Sequence, residues 1–403
     1  MASPTPSTLP ADLLLEIIVR SDTIRCAATC NLLRHDILEP SFLHRVTRPG
    51  CIVPSCLLVY IKNHKCYFPR HRQPPISLVH PDTLAATSFC DNHLTPFVSR
   101  QAKAKNLLRQ YDAQTSRSGL VILFRYCVYK DEPRSDLCVY NPMTGERTFL
   151  SDPQNVCANY MYRGKQSFVV LTPADGISRS SFIRPSSFML LVAEVSCYQG
   201  PSAMIRTATS YGTGWGPFIE HVSVSFPSRM TIGDSDAVVL HGGVIHWLLQ
   251  DYKGILKYDV LTTKASMVKL SPITTRFISK GHPGLGKSPD GRLRLLAADK
   301  FKISMWLQLS SGDGGWETEA LIDVEEKLQL LDPNIHAMIG RGHEFIELVY
   351  CVERSGVLLL RVKFQLVILE VNTKKMRCQE NLDSSSLLEV DLLSRLQAMK
   401  IFS

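Results

Sequence analysis

The chain predicts a small all-α unit of three short helices at residues 7–46, followed by a large all-β unit over residues 50–403. Three observations carry that division. Apolar residues recur at helical spacing within the first forty or so positions. From Gly119 onward, short apolar runs alternate with Asp/Asn-x-x-Thr turns. Between those runs, helix start and stop signals are scarce.

The first helix opens with Ser7 or Thr8 as a cap, Pro10 where a missing N–H costs nothing, and Asp12 in the first turn. Leu9, Leu13 and Ile17 fall at i, i+4 and i+8, with Leu14 and Ile18 beside them, which makes a wide apolar stripe. A second helix starts at Asp22-Thr23 and carries Ile24, Ala27, Ala28 and Leu32. A third runs to about Leu38 and stops at Glu39-Pro40, because the residue before proline is pushed out of the α region. Phe42-Leu43 adds two apolar anchors. Three helices in so short a stretch bury too little surface to stand alone. An exposed apolar face suited to a partner helix is a physical use for the excess hydrophobicity.

The β unit carries a weak repeat. Its first halves are Gly119–Phe124, Gly242–Trp247, Gly291–Leu296 and Gly356–Leu360; matching second halves are Cys138–Gly145, Ile255–Thr262 and Val367–Thr373. Phe188–Val192 with Trp215 reads as a degenerate unit. Asp or Asn followed by Thr bonds its own backbone, Gly145 supplies a positive φ, and Asp299-Lys300 joins Arg292–Ala298 to Phe301–Leu309. Spacings of about fifty to seventy residues fit four-stranded blades, the mark of a β-propeller of about six blades, with 50–118 supplying the first strands. Trp215, Trp247, Trp306 and Trp316 read as blade packing. Glu325-Glu326-Lys327 and Leu387–Met399 are the helix candidates here.

Hydrophobic residues make up 45% and charged residues 20% of the 403, as in a globular protein, and no apolar run reaches the eighteen or so residues of a membrane helix. No secretory leader pattern and no Asn-x-Ser/Thr sequon occur, so cytosol or nucleus is expected, with the twelve cysteines reduced. Cys127, Cys138 and Cys351 sit at apolar strand positions. Cys51, Cys56 and Cys66 with His64 and His71 lack the repeated close pairs of a zinc site, so no metal is expected. The net charge of +8 resides in residues 49–130, which hold eleven basic and three acidic side chains. Lys62, Lys65, Arg70, Arg72, Arg100, Lys103, Lys105 and Arg109 form its core. A solvated surface is the simplest reading. The lack of an interleaved aromatic ladder argues against nucleic acid as a partner.

Gly281–Ser288 matches the P-loop pattern letter for letter, but Pro289-Asp290-Gly291 makes a turn where a phosphate-holding helix must start. It reads as coincidence. His44, His241 and His246 have no evident catalytic partners, so neither catalytic residues nor a cofactor are expected.

Leu9-Pro10-Ala11-Asp12-Leu13-Leu14-Leu15-Glu16-Ile17-Ile18, followed by Ile24-Arg25-Cys26-Ala27-Ala28-Thr29-Cys30, resembles an F-box. The later phrases Val139–Glu146, Leu240–Leu248, Ser288–Leu296 and Ser394–Ser403 resemble the F-box-associated β-propeller of plant F-box proteins, nearest to a large grass group. The resemblance implies a non-enzymatic substrate receptor of a Skp–cullin–F-box ubiquitin ligase. Leu9, Pro10, Leu13, Leu14, Ile17 and Ile18 would dock the Skp-type adaptor, and through it a cullin. The propeller would hold a protein target of unknown identity, and no membrane would be involved. A second reading treats the chain as a propeller interaction protein with a degenerate F-box. The connection Val19–Thr23 is several residues shorter than family members carry.

Overall fold

The computed structural model describes residues 56–62, 76–78, 111–125, 137–141, 146–150, 166–177, 188–196, 202–210, 215, 219–225, 237–249, 254–270, 282–288, 290–309, 315–331, 346–351, 356–362, 365–379 and 385–391. The three helices expected at 7–46 lie outside these residues. Among the described residues the chain is almost entirely β. No helix there is long and apolar enough to cross a membrane.

In chain order, β1 (Cys56–Lys62) and β2 (Ile76–Leu78) come first. The first complete sheet is β3 (Asp112–Arg117), β4 (Leu120–Phe124), β5 (Leu137–Tyr140) and β6 (Arg147–Leu150). The second is β7 (Gln166–Leu171), β8 (Met189–Ser196), β9 (Ser202–Ser210) and β10 (Ile219–Ser225). The third is β11 (Val238–Leu240), β12 (Val244–Leu248), β13 (Gly254–Asp259) and β14 (Lys264–Lys269). The fourth is β15 (His282–Lys287), β16 (Leu293–Asp299), β17 (Lys302–Gln308) and β18 (Trp316–Asp323). A helix, α1 (Glu325–Leu331), precedes the fifth: β19 (Ile346–Cys351), β20 (Val357–Val362), β21 (Gln365–Glu370) and β22 (Met376–Gln379). The last described strand, β23 (Ser385–Asp391), pairs with β1.

Each complete sheet is an antiparallel meander whose spatial order follows the chain, and the sheets are arranged as in a β-propeller. Burial explains the strand sequences. The middle strands are covered on both faces, so β5 and most of β21 read as continuous apolar runs, as does β16 apart from Asp299 and the buried Arg294, which pairs with Glu319 of β18. The fourth strands β14 and β18 are largely open to solvent and carry Lys, Thr and Glu. Apolar cores lie between consecutive sheets. Ile122, Phe124 and Val139 meet Val170 and Leu190, and Leu171 and Leu191 meet Ile245 and Trp247. Farther along, Leu248 and Ile255 meet Leu285 and Leu295, and Leu296 and Met305 meet Leu358 and Val367. Each fully buried Leu, Ile or Val contributes about 1.5–3 kcal/mol of transfer free energy.

The turns follow the expected chemistry, with one change. Asp259 Oδ1 accepts from the backbone N–H groups of Leu261 and Thr262 at 2.9 and 3.1 Å. Thr373 Oγ1 donates to Glu370 at 2.8 Å and accepts from the Lys375 N–H at 3.2 Å. In these hairpins and the Asp299 turn, the left-handed residue is Thr263 (φ 54°), Lys374 (φ 55°) or Lys300 (φ 53°), not glycine. The side-chain and ladder hydrogen bonds hold a conformation that costs non-glycine residues about 1–2 kcal/mol. Gly145 lies outside the described residues.

One helix expectation is corrected. Within Leu387–Met399, residues through Asp391 belong to β23, which pairs antiparallel with β1 from Cys56↔Asp391 to Lys62↔Ser385. Leu387, Leu388 and Val390 satisfy helix and strand patterns alike, and the ladder offered by β1 decides between them. Residues 392–399 lie outside the described set. The other candidate is borne out. Asp323 Oδ1 accepts from the Glu325 N–H at 3.0 Å at the start of α1, and Leu328 is buried beneath it.

Candidate interaction groove beside α1

The expected adaptor-docking residues Leu9, Pro10, Leu13, Leu14, Ile17 and Ile18 lie outside the described residues. So do the basic side chains from Lys65 to Arg109, and Cys51, Cys66, His64 and His71. Among the described residues no three His, Cys, Asp or Glu side chains converge as metal ligands.

Two of the described groups with chemical potential, Cys138 and His246, are packed away. Cys138 is fully buried in β5. Burial pushes its thiol up to about 12, against the opposing charge of Arg147, so it stays protonated and inert as a nucleophile. His246 is buried in β12, opposite Lys257 of β13. Burial, helped by the Lys257 charge, lowers its pKa to about 4. Trp247 is fully buried and donates from Nε1 to Ser167 Oγ of the preceding sheet at 2.8 Å. Trp306 is buried, and Trp215 and Trp316 pack against the cores, as expected of blade-packing residues.

Within the P-loop-like stretch, His282–Lys287 form β15, paired along its length with β16; Gly281 lies outside the described residues. Ser288 then enters a turn in which its N–H donates to nothing resembling an anion: the Arg292 carbonyl accepts it at 2.9 Å. The segment has no helix start to hold a phosphate. As the first strand of its sheet, β15 tolerates Pro283 on its unpaired side.

A charged lock ties three sheets together. Arg117, at the end of β3, reaches Asp175 in the turn after β7 with two hydrogen bonds of 2.6 and 2.8 Å, and also donates to the Val170 carbonyl at 2.9 Å. Asp175 accepts from the Thr172 N–H at 2.7 Å, and its carbonyl takes the Gly242 N–H at 2.7 Å. The His241 ring lies over Gly176 (φ 76°) so closely that an added Cβ would sit 2.3 Å from Cε1. His241 therefore serves packing at this junction.

The open feature is a groove of about 380 Å³ between α1 and the β21–β22 hairpin. Its apolar lining comes from Leu330, Leu331, Ile368 and Met376. Lys327, Lys374, Lys375 and Arg377 also line it, against one carboxylate, Glu370. Lys327 Nζ donates to the Lys374 carbonyl, so the helix is tied to the hairpin tip. Lys374 and Lys375 are exposed, and neither forms an ion pair among the described residues. Leu330 is 81% exposed while Leu328, two positions earlier, is buried.

Sequence reasoning missed this groove. The local signals were Thr373-Lys374-Lys375-Met376-Arg377 after a hairpin turn, and the Leu-rich end of α1. Only the fold brings the two together.

None of the curated proteins matches the chain. Solved structures resemble it weakly. A luciferin-regenerating enzyme is 10% identical over 68% of this chain and 76% of that one, at a TM-score of 0.34. The β-propeller domain of Myceliophteria thermophila Cps50 (Swd1) is 11% identical over 68% and 87%, also at 0.34. A Lactobacillus plantarum protein is 10% identical over 81% and 82%, again at 0.34. Likenesses this low carry no argument about function. Residues 82–402 match the family described as Domain of unknown function (DUF7595), and the chain belongs to that family.

Proposed function

We propose that this protein is a non-catalytic receptor that binds another protein through its β unit and joins a Skp–cullin–F-box ubiquitin ligase through residues 7–46. One observation carries the binding half. Cys138 and His246 are buried, whereas the groove beside α1 is open, apolar and rimmed by cations. The ligase half rests on the apolar stripe of Leu9, Leu13, Leu14, Ile17 and Ile18 with Pro10 at the helix start. On this reading the β1–β23 pairing closes a six-bladed ring, with the chain's last described strand completing the sheet begun by β1 and β2. The mechanism is proximity: the receptor holds its target near a ubiquitin-charged conjugating enzyme and raises effective concentration.

Co-expression of the full chain with a plant Skp-type adaptor tests the ligase half. A stoichiometric complex is expected, and Leu13→Asp should abolish it while the β unit keeps its thermal unfolding transition. A folded wild-type chain that captures no adaptor favours the second reading, an interaction protein with a degenerate F-box, to which the short Val19–Thr23 connection points.

A further inference from the structure

We propose that the groove between α1 and the β21–β22 hairpin binds an acidic segment of a partner protein that carries one or two large apolar residues. The inference deepens the receptor reading by naming the chemical class of the target. Its test measures peptide binding and not adaptor capture, so either reading can fail alone.

Charge and shape select this occupant. Four cationic side chains against one carboxylate line a space with an apolar floor. An acidic segment gains from that rim through attraction that steers its approach. Lys374 and Lys375 sit beside a hairpin tip held by the Thr373 and Glu370 bonds, so their backbone is set before binding. Ile368 is buried in β21 and provides a rigid base. Leu330, left in water at the groove, is covered when an apolar anchor settles there. A cavity of about 380 Å³ admits one or two such anchors.

Other occupants fit less well. No aromatic side chain lines the groove, so it offers no stacking platform for bases. A single short helix with one strongly exposed leucine lacks the continuous apolar face that holds a helix in a membrane surface.

The test is fluorescence anisotropy of the full chain with a labelled peptide alternating Glu and Leu. Saturable binding that weakens as salt rises is expected. The double variant Lys374→Glu/Lys375→Glu should lower affinity about tenfold, since two attractive pairs become repulsive. Leu330→Ser should also weaken binding, and Lys375→Gln should do so less. All three positions are exposed or at the rim, so thermal melts should match the wild type. Equal affinity for a peptide alternating Lys and Leu would overturn the proposal. So would undiminished binding by the double variant, or preferential capture of phosphatidylserine vesicles or a single-stranded oligonucleotide through these same lysines.

Discussion

Two seams of the molecule are built from different materials. Between the second and third sheets, the core includes Trp247, Tyr258 and Met189, and Trp247 donates across the seam to Ser167. Its rim is bolted by Arg117, Asp175, Gly176 and Gly242. Between the fourth and fifth sheets the core is mostly aliphatic, from Leu296 and Ile303 to Leu360 and Leu369, with α1 laid over its edge. The first seam uses polar groups to close itself. The second leaves polar groups and a leucine facing outward beside the helix. The cation of the first seam is taken up in closing the fold, whereas the exposed Lys374 and Lys375 of the second border an apolar hollow, the surface proposed above for another chain.

The largest break in this contrast comes from Trp247→Ala. It empties the centre of the first seam and orphans Ser167, and should cost about 4 kcal/mol in urea unfolding. Next is Asp175→Ala, which strands the largely buried Arg117 and should cost about 3 kcal/mol by the same measurement.

Acid provides a milder attack on the opposite face of the third sheet, where His246 lies on the β12 face of Leu248, which packs toward the fourth sheet. The His246 pKa is about 4 in the folded protein, below its ordinary 6.5, because burial disfavours the imidazolium. The unfolded chain therefore binds the proton first, and stability falls as pH drops from 6.5 toward 4. Between pH 7 and pH 5 this one group should remove about 2 kcal/mol. Comparing unfolding at the two pH values in wild type and His246→Gln isolates it, because only the wild type carries this slope.

The smallest effect is expected at the second seam's rim. Lys374→Glu/Lys375→Glu should change stability by less than about 0.5 kcal/mol, since both side chains are exposed. A large loss there would mean that these lysines hold the fold, and the contrast between seams would collapse.

Much of the fold was legible because its signals are local. Gly119–Phe124, Gly242–Trp247, Gly291–Leu296 and Gly356–Leu360 correspond to β4, β12, β16 and β20. Each couples a turn residue to an apolar run, and both act within a few positions. The Asp259 and Asp299 turns were readable for the same reason. Strands without such punctuation were harder: β9 and β10 gave no clear pattern, and β15 hides in a stretch of Pro and Gly. Leu387–Asp391 was misread because its pairing partner lies at the opposite end of the chain.

Local sequence decided where strands begin, where they turn, and which runs are covered on both faces. Hydrophobic periodicity and turn chemistry operate over a handful of residues, and that reach extends to the four-stranded unit. Tertiary structure alone decided that Arg117 meets Asp175, 58 positions away, and that Lys327 meets Lys374, 47 away. Such meetings depend on how one sheet lies on the next. Nothing in an arginine or a lysine distinguishes the cation that closes a seam from the one left facing a groove; the surrounding chain makes that choice.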